Sequence, residues 1–428
     1  MTSVLHQPSK PLIPSMHVHG RGGVYALFVV LVFFFLLSTL FDPADKALGL
    51  KMPLYLACWV VGCLACVNRP GVGVPLGLLI YIMLMVGVPM TSLSYYYLVN
   101  GSDPFKGFEL LKAYVFVSFS ALIYITRIDI LKYLCWALSL LAVSVLVLTA
   151  VVLVFPEFYT PLYLLGADLG MFNIDSGRDY GADVVLFQMF FVTSPMLVIS
   201  VAHYFKLAVT STRWRGFYAG WTVLHIAALL VAGSRSNIVG ALALPLILAV
   251  FFSTNRLRTL WWMAMASMLF SLVFRREIGA MLDPVESSNS SKLIMIKDYA
   301  TILSDPLKLM LGSGLGAYDQ WTEKGYNYIT ELTLLEIFRN FGLLLGGLMV
   351  LLLLYPIVHA FVLRRGETEK HAVLAFAVYL LMSLTNPLLF SSMGMLFLGV
   401  VMANLYLADL KPDSATRHLI TVRDGPTR

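Results

Sequence analysis

The chain is 428 residues long, 59% hydrophobic and only 13% charged, with a formal net charge of +6. Soluble domains are nearer half apolar and a quarter charged, so a mean hydropathy of +0.81 excludes a disordered chain, a disulfide scaffold and an ordinary soluble enzyme. The apolar residues run in blocks of about 17–25, the length that crosses a bilayer as a helix. In chain order these blocks predict helices at 24–41, 52–67, 74–90, 110–126, 131–155, 184–205, 217–232, 236–252, 259–274, 332–363, 372–388 and 393–409. The expected fold class is all-α: a polytopic integral membrane protein of about twelve transmembrane helices with one large ordered outer loop. No small-residue cleavage site follows the first block, where Phe41-Asp42-Pro43 stands instead, so that span is expected to be retained. Cys58, Cys63, Cys66 and Cys135 all lie in apolar blocks and imply no disulfide framework.

An even number of spans puts both ends on one side. With residues 1–23 and 410–428 as cytoplasmic tails, every cytoplasmic turn is short and basic. The turns carry Arg69, then Arg127 with Lys132, Lys206 with Arg213 and Arg215, Arg256 with Arg258, and Arg364 with Arg365 and Lys370. The positive-inside rule is met at each turn. The basic excess then reflects membrane orientation and gives no reason to invoke nucleic acid. The resulting organisation is helices 1–9 over 24–274 with a first long outer loop at 156–183, a large outer loop at 275–330, and helices 10–12 over 331–409.

The large loop has helical periodicity at Leu293, Ile296, Tyr299, Ala300 and Leu303, stopped by Asp305-Pro306. It continues with Gly312-Ser-Gly314-Leu-Gly316 and the aromatics Tyr318, Trp321, Tyr326 and Tyr328. This pattern predicts an ordered cap with a helix and a glycine turn. The glycine run lacks the Gly-Lys-Ser/Thr of a nucleotide loop; a backbone nest for phosphate oxygens is the other reading. His17 and His19 lie in a tail without further ligands, so no metal site is expected there.

The informative charges are arginines on the outer side. Arg178 directly precedes the sixth span, and Arg235 sits in the short gap Gly233-Ser234-Arg235-Ser236-Asn237. Arg275 and Arg276 end the ninth span, and Arg339 falls inside the tenth. An ionisable group at membrane depth usually faces a cavity or a partner, and arginine binds phosphate bidentately. Together they suit a pyrophosphate whose lipid tail stays in the bilayer. The blander alternatives stand beside this: snorkelling for Arg275 and Arg276, a pair with Glu336 or Glu331 for Arg339, a turn residue for Arg235, and a loop ion pair with Asp175 or Asp179 for Arg178. Glu331 opens the tenth span, where a carboxylate at the edge of an apolar region can act as general base or simply favour the helix dipole.

From about Phe155 to Gly399 the chain resembles the superfamily of O-antigen ligases and Wzy-type O-antigen polymerases. The resemblance is carried by Arg178-Asp-Tyr-Gly181 before a span, Gly233-Ser-Arg235-Ser-Asn-Ile-Val-Gly240, Leu311-Gly-Ser-Gly-Leu-Gly316-Ala-Tyr at the end of the big outer loop, Glu331-Leu-Thr-Leu-Leu-Glu336-Ile-Phe-Arg339-Asn-Phe-Gly342 where the chain returns to the membrane, and Thr385-Asn386-Pro387. It implies a metal-independent, inverting, GT-C-type glycosyltransferase of the bacterial inner membrane, with its active site facing the periplasm and no cofactor. The donor would be a glycan on undecaprenyl pyrophosphate, and the partners a flippase and a chain-length regulator. Arg178 and Arg235 would hold the pyrophosphate, with Arg339, Arg275 and Arg276 near it. Glu331 would be the base, with Asp179, Asp183 or Asp319 as alternatives, and Tyr318, Trp321 and Tyr326 would meet the glycan. Ligases typically carry a His-Asn pair before the returning helix. Here the stretch is Tyr326-Asn327-Tyr328 and the large loop has no histidine, which favours a polymerase over a ligase. A lipid-linked oligosaccharide transporter, which would show inverted repeats and midplane charges, and a non-catalytic assembly scaffold are the readings of other classes.

Overall fold

A computed structural model describes residues 22–67, 73–100, 104–179, 185–273, 275, 279, 287–317, 319–321, 325–327, 332–363 and 370–409. In chain order the helices are α1 (Gly22–Phe41), α2 (Lys51–Cys66), α3 (Leu76–Asn100), α4 (Pro104–Val115), α5 (Phe119–Thr126), α6 (Ile130–Val154) and α7 (Tyr159–Leu169). A hairpin of β1 (Phe172–Asp179) and β2 (Val185–Phe191) follows, then α8 (Leu197–Thr210), α9 (Arg215–Val231), α10 (Arg235–Phe252) and α11 (Arg256–Val273). The large loop supplies α12 (Ser287–Ile302), α13 (Pro306–Leu311) and a second small hairpin, β3 (Asp319–Trp321) with β4 (Gly325–Asn327). The chain ends in α14 (Thr333–Val358), α15 (Lys370–Ser383) and α16 (Ser392–Asp409).

Among the described residues six stretches are long and apolar enough to cross a membrane: Gly22–Phe41, Leu76–Val99, Phe105–Thr126, Ile130–Val154, Arg235–Phe252 and Thr333–Val362. Shorter apolar helices lie at Lys51–Cys66, Ser194–Thr210, Arg215–Val231, Lys370–Ser383 and Ser392–Ala408. By length and composition this is a helical membrane protein. Its helix ends are set by local chemistry. Asp129 caps α6 by accepting the Lys132 backbone N–H, and Ser234 caps α10 by accepting that of Asn237. Asp305 caps α13 ahead of Pro306 at its first position. Arg127 closes α5 in a left-handed conformation. The core is a continuous packing of α1, α5, α6, α8, α15 and α16 side chains, with Phe35, Phe116 and Phe119 at its centre.

The structure corrects the predicted helix over 184–205. Residues 185–191 are a strand, residues 194–196 form a single 3-10 turn, and α8 begins only at Leu197. The run Val185-Leu-Phe-Gln-Met-Phe-Phe191 is apolar almost throughout, and such a run reads equally as buried helix or strand. Its pairing decides: Phe172 faces Phe191 and Ile174 faces Met189 across the hairpin. All four are buried on the same sheet face, as the two-residue period of a strand requires. The first long outer loop is therefore built from α7 and this hairpin.

The long segment before α14 is ordered over α12, α13 and the glycine run, but the glycines do a different job from a phosphate nest. α14 is broken at Gly342, which has φ +65° and ψ −172°. That backbone shape is essentially reserved to glycine. A Cβ there would lie 2.3 Å from the Met310 carbonyl oxygen. The break frees carbonyls inside the helix, and neighbouring chain satisfies them. Ser313 donates its backbone N–H to Arg339 O (2.6 Å), and Ser92 on α3 donates its hydroxyl to Asn340 O (2.6 Å). Leu315 N–H in turn donates to Ser92 Oγ at 2.9 Å. Irregular backbone at membrane depth is tolerated only where it is packed in protein, and the Gly312–Gly316 segment is that packing.

Candidate functional site

The hairpin, the Gly233-Ser234-Arg235 turn, α12 and the N-terminal turns of α14 gather at one end of the bundle. Gly233 has φ +68°, and its Cα lies so close to Gln188 on β2 that a Cβ would be 2.9 Å from the Gln188 side chain. The turn is thereby pressed on the hairpin. Arg178 pairs with Leu186, two residues along β2 from Gln188. At about 3.4 Å per residue, its backbone is about 7 Å along the strand from that contact. Arg235 is the first residue of α10, half-buried, and its Nη1 donates to the side-chain oxygen of Asn289 in the first turn of α12. Sequence reasoning placed Arg178 and Arg235 together, and the fold brings their two segments into contact.

Arg339 has a different setting. Its side chain is fully buried, and every donor edge meets an acceptor. Nη2 and Nε grip the Glu336 carboxylate, the latter at 3.1 Å. Nη1 donates to Asp319 Oδ2 at 2.9 Å and to the Ala317 carbonyl at 3.1 Å. Asp319 also receives Lys308 Nζ at 3.4 Å. Glu336 is saturated in turn. Oε1 accepts from Arg339 and from Asn340 Nδ2 at 2.9 Å; Oε2 accepts from Arg339 and from the Tyr299 hydroxyl at 2.8 Å. A carboxylate offers about four lone-pair sites, and all four are taken. The Arg339–Glu336 pairing weighed from sequence is present, and it ties α14 to α12 and β3.

Asn289 and Tyr299 are ten residues apart on α12, about 15 Å along its axis. The contacts of Arg235 and of Arg339 therefore lie at two stations of one helix. Beside the second station is a cavity of about 290 Å3, walled by Leu110, Tyr114, Leu315, Glu336, Asn340 and Phe390 among others. The Tyr114 and Phe390 rings stack with centroids 5.5 Å apart. Asn340 Oδ1 is buried at this wall without a hydrogen-bond partner among the described residues.

The remaining predicted residues are placed as follows. Arg275 is exposed beyond the end of α11. Trp321 lies on β3 opposite Gly325, and Tyr326 lies on β4 opposite Gln320. Glu331, Arg276, Tyr318 and Asp183 lie outside the described residues. Sequence reasoning missed Tyr299, Asn289 and Asn340. Asn340 was findable, being four residues after Glu336 on one helix face; Tyr299 stood out only as one position of a helical period, and Asn289 carried no pattern that marked it. No protein-family model matches the chain, and neither does any curated protein or solved structure.

Proposed function

We propose that the chain is a polysaccharide polymerase of the bacterial inner membrane, an inverting GT-C-type glycosyltransferase of about twelve spans acting at the periplasmic face on undecaprenyl-pyrophosphate-linked repeat units. The observation that carries this reading is the contact between the Arg178 hairpin and the Arg235 turn at one end of an apolar bundle. It supports a two-arginine grip on a pyrophosphate whose lipid tail lies in the bilayer, each guanidinium presenting a fork that matches phosphate oxygens.

In this reading an acceptor sugar hydroxyl attacks the anomeric carbon of the donor glycan. The new C–O bond forms as the bond to pyrophosphate breaks, and the electron pair leaves with the pyrophosphate. Arg178 and Arg235 stabilise that developing charge. Glu331, two residues before the returning helix in sequence, takes the hydroxyl proton. The Glu336–Arg339–Asp319 network holds that helix in place, and Glu336 has no lone pair left to act as base itself. The 290 Å3 cavity beside it receives the terminal sugar of the acceptor, with the Tyr114–Phe390 pair against a sugar face.

The test is a purified reaction with one substrate, the undecaprenyl-pyrophosphate-linked repeat unit, in chelator and without nucleotide. A ladder of products is expected by gel or mass spectrometry. Arg235→Ala should slow it by about 10²–10³-fold, the usual loss for one donor aimed at developing charge, while the protein stays folded. An unchanged ladder in Arg235→Ala sinks the pyrophosphate assignment. Transfer only to a lipid A core acceptor would mean a ligase, and movement of labelled lipid across vesicles without any transfer would mean a transporter.

A further inference from the structure

At the opposite end of the bundle from the hairpin, α1, α6, α8 and α9 leave a groove of about 660 Å3 that the proposed chemistry does not use. Its mouth lies at the 127–129 and 211–214 turns. Along α6 it is lined by Asp129, Lys132, Trp136 and Leu140, an exposed stripe at helical spacing. Eleven residues separate Asp129 from Leu140, which is about 16 Å of helix. That is close to half the roughly 30 Å hydrocarbon thickness of a bilayer. The groove is thus about as long as one leaflet is deep.

Its walls are aromatic: Trp136 and Phe217 are both about half-exposed on its lips, and Tyr204 and Trp221 stack behind them at 5.9 Å. Three polar groups at and behind its floor are linked to one another, while the buried Nδ1 of His203, which also lines the groove, has no hydrogen-bond partner among the described residues. Tyr204 and Ser139 share a hydrogen bond at 2.9 Å, Ser139 Oγ lies 3.3 Å from His225 Nε2, and His225 Nδ1–H donates to the Trp221 carbonyl at 2.7 Å. The groove is open to the surface, and its exposed lips are mainly aromatic and aliphatic, which suits an apolar chain from the surrounding bilayer. The mouth is basic. Lys132 holds its ammonium 4.9 Å from the Trp136 ring centre, Arg213 lies in the 211–214 turn and Arg215 opens α9. The one acid lining it among the described residues, Asp129, caps its own helix by accepting the Lys132 backbone N–H.

We propose that this groove is a phospholipid site, with one acyl chain laid along Trp136, Leu140 and Phe217 and the head phosphate at Lys132. The proposal is independent of the glycosyl-transfer reading. It is tested by native mass spectrometry of the delipidated full chain titrated with phosphatidylglycerol, and with diacylglycerol of the same chains. Phosphatidylglycerol should bind wild type more tightly than diacylglycerol does. Lys132→Gln should weaken it roughly fivefold, the usual effect of one basic side chain near a lipid headgroup. Trp136→Ala should weaken both lipids, and Trp262→Ala, an equally exposed tryptophan on α11 outside the groove, should change neither. All these positions are exposed, and a thermal melt in detergent checks that each variant folds. Equal binding of the two lipids by wild type would overturn the phosphate assignment. Unchanged binding in Trp136→Ala, or a dimer that Trp136→Ala converts to monomer, would overturn the site.

Discussion

The two ends of the bundle solve the same problem, polar groups at membrane depth, in opposite ways. At the hairpin end one group of charges, separate from Arg235, is buried and joined into a network: Arg339 holds Glu336 and Asp319, and Tyr299 and Asn340 complete the Glu336 carboxylate. At the other end the buried groups are neutral, a hydroxyl–imidazole chain of Tyr204, Ser139 and His225, and the charges stay exposed at the mouth. The difference teaches where irregular backbone is placed. The charged network surrounds the break at Gly342, where a freed carbonyl and an inserted loop make a polar interior, whereas the helices α6 and α9 lining the other groove have no such break.

The sharpest way to break this comparison is to remove one charge from each end. Arg339→Met leaves the buried Glu336 carboxylate without its charged partner and leaves Asp319 with Lys308 alone, and breaking a buried pair this way costs about 3–5 kcal/mol. A large fall in melting temperature in detergent, or loss of folded protein, is expected. Lys132→Met at the exposed mouth should stay within about 0.5 kcal/mol. Equal melting of the two variants would show the network to be incidental.

Gly342→Ala tests the break itself. The backbone shape alone costs a side chain about 1–3 kcal/mol, and the overlap with the Met310 carbonyl adds to it, so a clear loss of stability is expected by the same melt. An unperturbed Gly342→Ala would mean that α14 can run straight. Tyr299→Phe deletes one bond to a buried carboxylate, worth about 1.5–3 kcal/mol. Its counterpart Tyr204→Phe deletes a bond between neutral groups, worth about 0.5–1.5 kcal/mol. The order of these two losses is the prediction, read as denaturant or thermal midpoints of the two variants.

The smallest effect expected is a pH dependence at the hairpin end. Asp42 lies in the turn after α1. Burial opposes its ionisation, but backbone N–H groups of Leu48, Ala47 and Lys46 and the nearby Lys51 ammonium outweigh that, so its pKa lies below the ordinary aspartate value. A depressed carboxylate stabilises the fold above its unfolded pKa and loses that contribution as pH falls through the folded one. Melting temperature should therefore drop on acidification below the ordinary aspartate range, and the drop should shrink in Asp42→Asn.

Much of this was legible in the residues themselves. Membrane character, the order of the apolar helices and the ordered nature of the large outer loop follow from block length and periodicity, because a bilayer leaves a backbone few options. The Glu336–Arg339 pair was also legible, since residues three apart on a helix share a face. Other features needed the tertiary structure. Val185–Phe191 became a strand because β1 was there to pair with it, which no single apolar run can announce. Gly312 and Gly342 became mutual contacts across thirty residues. Asp319 and Tyr299 joined the arginine network only because α12, β3 and α14 meet. Composition and local spacing determine which segments bury and in what shape; which buried charges find each other depends on distances between segments, and only the packed chain sets those.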